Sequence, residues 1–172
     1  FQDEYLVRHA LLLDTFCEVS RDALFEDAVA VAASFACTVP DQESLLDLMF
    51  VGPRAVCVTS GRGVGHTEQM LEVLAAVSPE RENRFAELES LLLQHRAALS
   101  GCLLVLLDWD EPRRALVRRL KLMPLPCWVL MLVPPGGAEH FDAGPPGDQP
   151  DHMILLEHGR IREGLQNLEG LS

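Results

Sequence analysis

The chain has 172 residues, with 14 Lys plus Arg against 26 Asp plus Glu, a net charge of −12 and a pI near 4.8. Apolar residues make up 48% and charged residues 23%, a globular composition that excludes intrinsic disorder and suits one compact domain over residues 1–172. The acidic balance excludes a general nucleic-acid binder, which needs a positive field to displace counterions from phosphates.

Residues 5–13 form an apolar run broken by Arg8 and His9 and closed by Asp14, the pattern of a buried strand. Ser20 then reads as an N-cap with Asp22 in the first turn, and Leu24, Ala28, Val31, Phe35 and Val39 recur at helical spacing up to Pro40. Residues 44–51 and 54–59 are strand candidates around Gly52-Pro53, which predicts a hairpin. Met70, Val73, Leu74 and Val77 mark a second helix. Ser78-Pro79-Glu80 reads as the start of a third, carried by Phe85, Leu88, Leu92 and Leu99 to Ser100-Gly101. Residues 102–107 are a continuous apolar strand ending at Asp108, and 111–121 a helix with Leu116, Val117 and Leu120 inward. Residues 128–133 give another strand, 134–150 a Gly/Pro-rich loop expected to be the most mobile segment, 153–156 a last strand and 159–168 a terminal helix. This alternation predicts an α/β fold of three layers, a mostly parallel central sheet with one antiparallel edge hairpin strand.

The five cysteines form no CxxC pair, and Cys37, Cys57, Cys102 and Cys127 sit in apolar segments, where free thiols pack as small hydrophobes. That usage suits a reducing compartment, and the six histidines show no zinc spacing. No apolar run reaches the roughly 18–20 residues that span a bilayer. The chain begins at Phe1 without a signal-like segment, so it is expected to be excised from a longer protein.

Function in such sheets collects at the carboxyl ends of the strands, where the sequence places Asp14, Asp108, Asp110 and the loop 60–67. The loop 60–67 (SGRGVGHT) follows a strand and opens a helix, the context for phosphate binding by backbone N–H groups. His66 stands where a phosphate loop has Lys, so the favoured reading is a flexible turn with Thr67 as N-cap. Asp14 and Asp108 end strands that the topology makes neighbours, and with Thr67 they make a hard-oxygen set for Mg²⁺ or, as bare carboxylates, helix caps. Arg113, Arg114, Arg118, Arg119 and Lys121 concentrate positive charge on one acidic chain. They read as a solvated helix face or as a docking strip for an acidic partner or anionic membrane surface.

The segment 7–15 (VRHALLLDT) resembles the first strand of a von Willebrand factor A domain, which ends in a DxSxS metal motif. Over nearly its whole length the chain is similar to the bacterial family known as domain of unknown function fifty-eight. The residues that carry this are Asp14-Thr15, 28–34 (AVAVAAS), Gly61-Arg62-Gly63, 104–108 and 128–134. The resemblance implies an interaction domain, not an enzyme, anchored through an upstream segment on the cytoplasmic side of the bacterial inner membrane. It further implies work with a MoxR-type AAA+ ATPase in assembly or remodelling of complexes. Asp14 falls on the first Asp of DxSxS, but Phe16 and Glu18 replace the hydroxyls. Thr67 and Asp108 are the matching threonine and later aspartate. The expected site is therefore degenerate, with no cofactor or at most weak Mg²⁺. The alternatives are a nucleotide- or phosphate-binding domain using 60–67 and a metal-dependent adhesion-type domain.

Overall fold

The computed structural model describes residues 7–38, 44–61 and 64–169. In chain order these form β1 (Val7–Leu13), a 3₁₀ turn (Val19–Arg21), α1 (Asp22–Thr38), β2 (Ser44–Val51), β3 (Ala55–Ser60) and α2 (Val64–Ala76). There follow α3 (Phe85–His95), β4 (Gly101–Leu106), α4 (Glu111–Leu122), β5 (Cys127–Val133), β6 (His152–Glu157) and α5 (Ile161–Glu169). The strands make one sheet in the order β3-β2-β1-β4-β5-β6, with every neighbouring pair parallel except the edge hairpin of β2 and β3.

Strands β1 and β4 lack polar alternation because the sheet is covered on both sides. Leu11 and Leu13 pack toward α1 and α2, whereas Ala10 and Leu12 pack toward α3 and α4. In α1 the inward stripe is Leu24, Phe25, Ala28, Val31, Ala32 and Ala36, at helical spacing. Each fully buried Leu or Phe removes apolar surface worth about 1.5–3 kcal/mol. A buried carboxylate, Asp47, interrupts β2; Arg8 pairs with it at 2.6 and 2.9 Å, and Thr59 also donates to it across the hairpin.

Local signals fail where a tertiary contact overrides them. Ser20 lies inside the 3₁₀ turn and does not cap α1, which starts at Asp22, one residue later than a cap at Ser20 would place it. Val39 and Pro40 lie outside the described residues. Ser78-Pro79-Glu80 starts no helix: Glu80 N–H donates to the Thr15 carbonyl at 2.7 Å, and Cys17 N–H to the Glu80 carbonyl at 3.2 Å. That bridge holds the segment extended. Helix α3 starts instead at Phe85, whose N–H donates to Asn83 Oδ1 at 3.1 Å, and ends at His95. Cys37 is exposed on the outer side of α1, not packed in the core; Cys57 is half-buried, and Cys102 and Cys127 are buried.

The segment 134–150 is tied down despite its composition. It contains two 3₁₀ turns, Gly137–His140 and Pro146–Asp148. Trp109 Nε1 donates to the Ala143 carbonyl at 3.1 Å, Arg118 to Asp148 at 2.9 Å and Lys121 to the Pro146 carbonyl at 3.2 Å.

Candidate functional site

Strand β1 delivers Asp14 to the carboxyl end of the sheet. Its N–H extends the ladder to the Val105 carbonyl at 2.9 Å, and next to it the Thr15 hydroxyl donates to the Val51 carbonyl at 2.6 Å. The turn after β1 is thereby pinned to β4 on one side and β2 on the other. On the far side of β4, Asp110 caps α4, accepting from Arg113 N–H at 3.3 Å, with Pro112 in the first turn. The cap turns Arg113 inward, onto the face it shares with Leu116, Val117 and Leu120.

Asp14 is fully buried and Arg113 is 2% exposed. Arg113 Nε donates to Asp14 Oδ2 at 2.7 Å and Nη2 to Oδ1 at 3.0 Å. The same guanidinium reaches Asp110 Oδ2 at 2.7 Å and the Phe16 carbonyl at 3.2 Å, and its carbon lies 5.0 Å from the Phe85 ring centroid. Phe16 packs edge-on against that ring, centroids 6.4 Å apart. Burial works against the Arg113 charge, but Asp14 and Asp110 outweigh it and hold its pKa above the ordinary arginine value.

Over this pair opens a cleft of about 280 Å³, lined by Phe16, Cys17, Glu18, Arg21, Arg81, Asn83, Leu107, Asp108, Asp110 and Arg113. Arg81 clamps Asp22 at 2.7 and 2.9 Å and reaches the Cys17 carbonyl at 3.1 Å. Arg21 donates to the Leu107 carbonyl and lies 3.7 Å from Asp108. Among the lining residues there is no histidine, serine or lysine. The one thiol, Cys17, is pushed up by burial, with Arg81 pulling the other way. The arrangement holds fixed donors and acceptors for recognition, and the Cys17 thiol faces the Asp22 carboxylate at 4.0 Å.

The residues expected to meet here divide. Asp14 and Asp108 line or underlie the same cleft, but Asp108 is about half exposed and turns to Arg21 and its neighbouring Trp109 N–H. Asp110, not Asp108, shares a partner with Asp14. Thr67 is elsewhere, because the antiparallel β3 inverts the chain. Ser60, at the end of β3, is level with Leu46 and through it with His9, about 16 Å short of Asp14 at 3.3 Å per residue. The loop 60–67 therefore belongs to the amino end of the central strands, and α2 already begins at Val64, so Thr67 is in its first turn and not its cap. Residues 62 and 63 lie outside the described residues.

The basic strip is also redistributed. Arg113 is in the core, as above. Arg114 lies 3.6 Å from Glu111, Arg118 pairs with Glu111 and Asp148, Arg119 with Glu89, and Lys121 holds the Pro146 carbonyl. Much of that charge is spent within the chain, on α3 and on the 146–148 turn. Sequence reasoning missed the Arg113–Asp14 pair, although the spacing of 113, 116, 117 and 120 carried the signal.

No protein-family model matches the sequence, and no curated protein matches it. Solved structures do. The SpRpn10 VWA domain is similar with a TM-score of 0.57 at 14% identity, over 97% of this chain and 95% of that one. An aerotolerance-related membrane protein from Bacteroides fragilis NCTC 9343 gives 0.53 at 10% identity, over 73% of this chain and 67% of that one. Proximal thread matrix protein 1 from the mussel byssus, with a zinc-occupied MIDAS motif, gives 0.61 at 8% identity, over 96% of this chain and 45% of that one. The fold is that of a von Willebrand factor A domain.

The donors around Asp14 do not fit the metal that this fold holds in the mussel protein. Each carboxylate oxygen has two acceptor positions. Oδ1 takes Phe16 N–H and Arg113 Nη2, both at 3.0 Å; Oδ2 takes Leu107 N–H at 2.9 Å and Arg113 Nε at 2.7 Å. All four positions are filled. Among the described residues no group of three or more His, Cys, Asp or Glu is placed to hold a metal ion.

Proposed function

We propose that this chain is a non-catalytic protein-interaction domain of the von Willebrand factor A type that engages its partner through the cleft above Asp14 and Arg113. The observation that carries this reading is the state of the polar groups in that cleft. Arg21, Arg81 and Arg113 are each fixed by a carboxylate or carbonyl of the chain, so the rim offers a preset pattern of charge. Such a pattern suits recognition of a protein surface, where complementary charges set register and approach rate. Burial raises the Cys17 thiol above its ordinary value, which disfavours a nucleophilic thiolate and supports a role in binding over one in chemistry.

The finer reading is that the domain is the soluble part of a membrane-anchored protein on the cytoplasmic side of the bacterial inner membrane, working with a MoxR-type AAA+ ATPase in complex assembly or remodelling. Its support is the family resemblance in the sequence and the likeness in fold to the Bacteroides fragilis membrane protein. Fold alone does not select a partner, so the partner is the quantity to test. The experiment is a titration of the domain against the purified MoxR-type ATPase of the same genome, by calorimetry, with Arg21→Glu and Asp108→Lys as probes of the rim. Saturable binding weakened at least tenfold by both substitutions supports the reading. Binding indifferent to both overturns the cleft, and no binding overturns the ATPase.

A further inference from the structure

We infer that Arg113 is a built-in cation, which holds the cleft together in place of a divalent ion and makes its shape independent of metal. The inference does not depend on the partner proposed above.

The argument begins with the groups the guanidinium gathers. Asp14 and the Phe16 carbonyl come from the turn after β1, and Asp110 from the turn before α4. These are oxygen atoms, two of the three groups are anionic, and they converge from two separate turns, which is what a small hard cation would otherwise draw together. Arg113 supplies the positive charge permanently, since a guanidinium does not deprotonate in proteins. It also supplies directed hydrogen bonds that fill both remaining acceptor positions of Asp14.

Shielding reinforces the substitution. The guanidinium lies against the Phe85 ring, and Phe16 walls the same space with carbon where a ligand oxygen would be needed. A divalent ion such as Mg²⁺ keeps several of its waters and requires near-octahedral oxygen ligands. Entry would require expelling a buried, tethered charge and finding room for those waters. Removing the guanidinium changes this. Asp14 and Asp110 would then face each other across the vacated space with the Phe16 carbonyl beside them, an oxygen set suited to Mg²⁺ or Mn²⁺.

The test uses Mn²⁺ alone as the probe, followed by electron paramagnetic resonance and by thermal melts against an ionic-strength-matched NaCl control. The wild type, Arg113→Ala, Arg113→Gln and the double variant Arg113→Ala/Asp14→Asn are compared. Expected is no saturable Mn²⁺ binding by the wild type at low-millimolar concentration, and at least a tenfold gain in affinity in Arg113→Ala that the added Asp14→Asn abolishes. Where Arg113→Ala is unfolded without metal, circular dichroism is followed during Mn²⁺ addition, and metal-driven refolding counts as the same gain. Saturable wild-type binding that Asp14→Asn removes overturns the inference. So does the failure of both Arg113→Ala and Arg113→Gln to bind Mn²⁺ or to refold with it.

Discussion

Arg113 and Asp14, 99 residues apart in sequence, form a two-point ion pair in which each carboxylate oxygen receives one guanidinium N–H, at 2.7 and 3.0 Å. The pair joins the last residue before the β1 turn to the first turn of α4, across β4. A buried pair of this kind adds little over a well-packed apolar alternative, yet losing one member strands the other in the core.

Arg113→Ala is expected to destabilise the domain by about 3–5 kcal/mol, because it leaves Asp14 without a counter-charge in the interior, and Asp14→Ala should cost less, because Arg113 keeps Asp110 at 2.7 Å. Their combination should cost less than the sum by about 1–3 kcal/mol, since the second substitution removes the charge orphaned by the first. Urea unfolding of the four proteins closes the cycle. Strict additivity would show that the two side chains do not act as a pair.

Stability should fall in alkali, and Cys127 should account for part of the slope. Cys127 is in register with Cys102 across β4 and β5. Hydrogen bonding with that thiol, together with burial, holds its pKa well above the ordinary 9.0. A raised folded value means the contribution is whole below the unfolded pKa and is lost as pH climbs beyond it, when only the unfolded chain releases the proton. The expected slope is about 1.4 kcal/mol per pH unit for this thiol. Cys17 and Cys57, also raised by burial, act in the same sense. Urea melts from neutral pH to about pH 10.5 should show a shallower decline in Cys127→Ala. Parallel slopes in the two proteins would remove Cys127 from the account.

The thiols should separate by accessibility. Cys37, exposed on α1, is expected to label within seconds with a maleimide, whereas buried Cys102 and Cys127 should label only after denaturation. Mass spectrometry of the partly modified protein distinguishes them. Native-state labelling of Cys127 at the rate of Cys37 would contradict the packing of β5.

Arg118→Ala should loosen the 146–148 turn with a small thermodynamic cost. The pair with Asp148 is partly exposed, with side-chain exposures of 37% and 13%, so solvent screens it and its loss is expected to cost little. The sharper readout is limited proteolysis, with faster cleavage in 134–150 than in the wild type. Unchanged cleavage would mean that the Trp109 and Lys121 contacts hold the segment alone.

The order of elements was legible in the sequence because most strands and helices are long enough for their hydrophobic period to stand out. Residues 102–107 and 128–133 have the unbroken apolar character of strands covered on two faces, and the structure buries all of them except the half-buried Leu103 and Trp128. What the sequence hid were contacts between distant segments. Ser78-Pro79 has every local mark of a helix start, yet the bridge from Glu80 to the Phe16 turn holds it extended. The place of Asp14 at the carboxyl end of an apolar strand was readable. Its partner was not, because Arg113 sits among four other basic residues and composition groups it with them. The helical period sets it apart, and a buried arginine calls for a buried acid. Thr67 lies away from Asp14 for a topological reason: the antiparallel β3 leads back to the opposite end of the sheet.

The direction of β1 gives the domain a usable polarity. The described chain enters the sheet at Val7 and reaches Asp14 seven residues later, about 23 Å away at 3.3 Å per residue. An attachment made at Val7, to a sensor chip or a bead, would therefore sit at the opposite end of β1 and leave the Asp14 cleft facing outward into solution. Attachment through a residue of the cleft rim, such as Glu18, would present the opposite pole, with Ser60 and His9. The two mountings expose different halves of one molecule to the same analyte, and comparing them assigns a binding event to a pole.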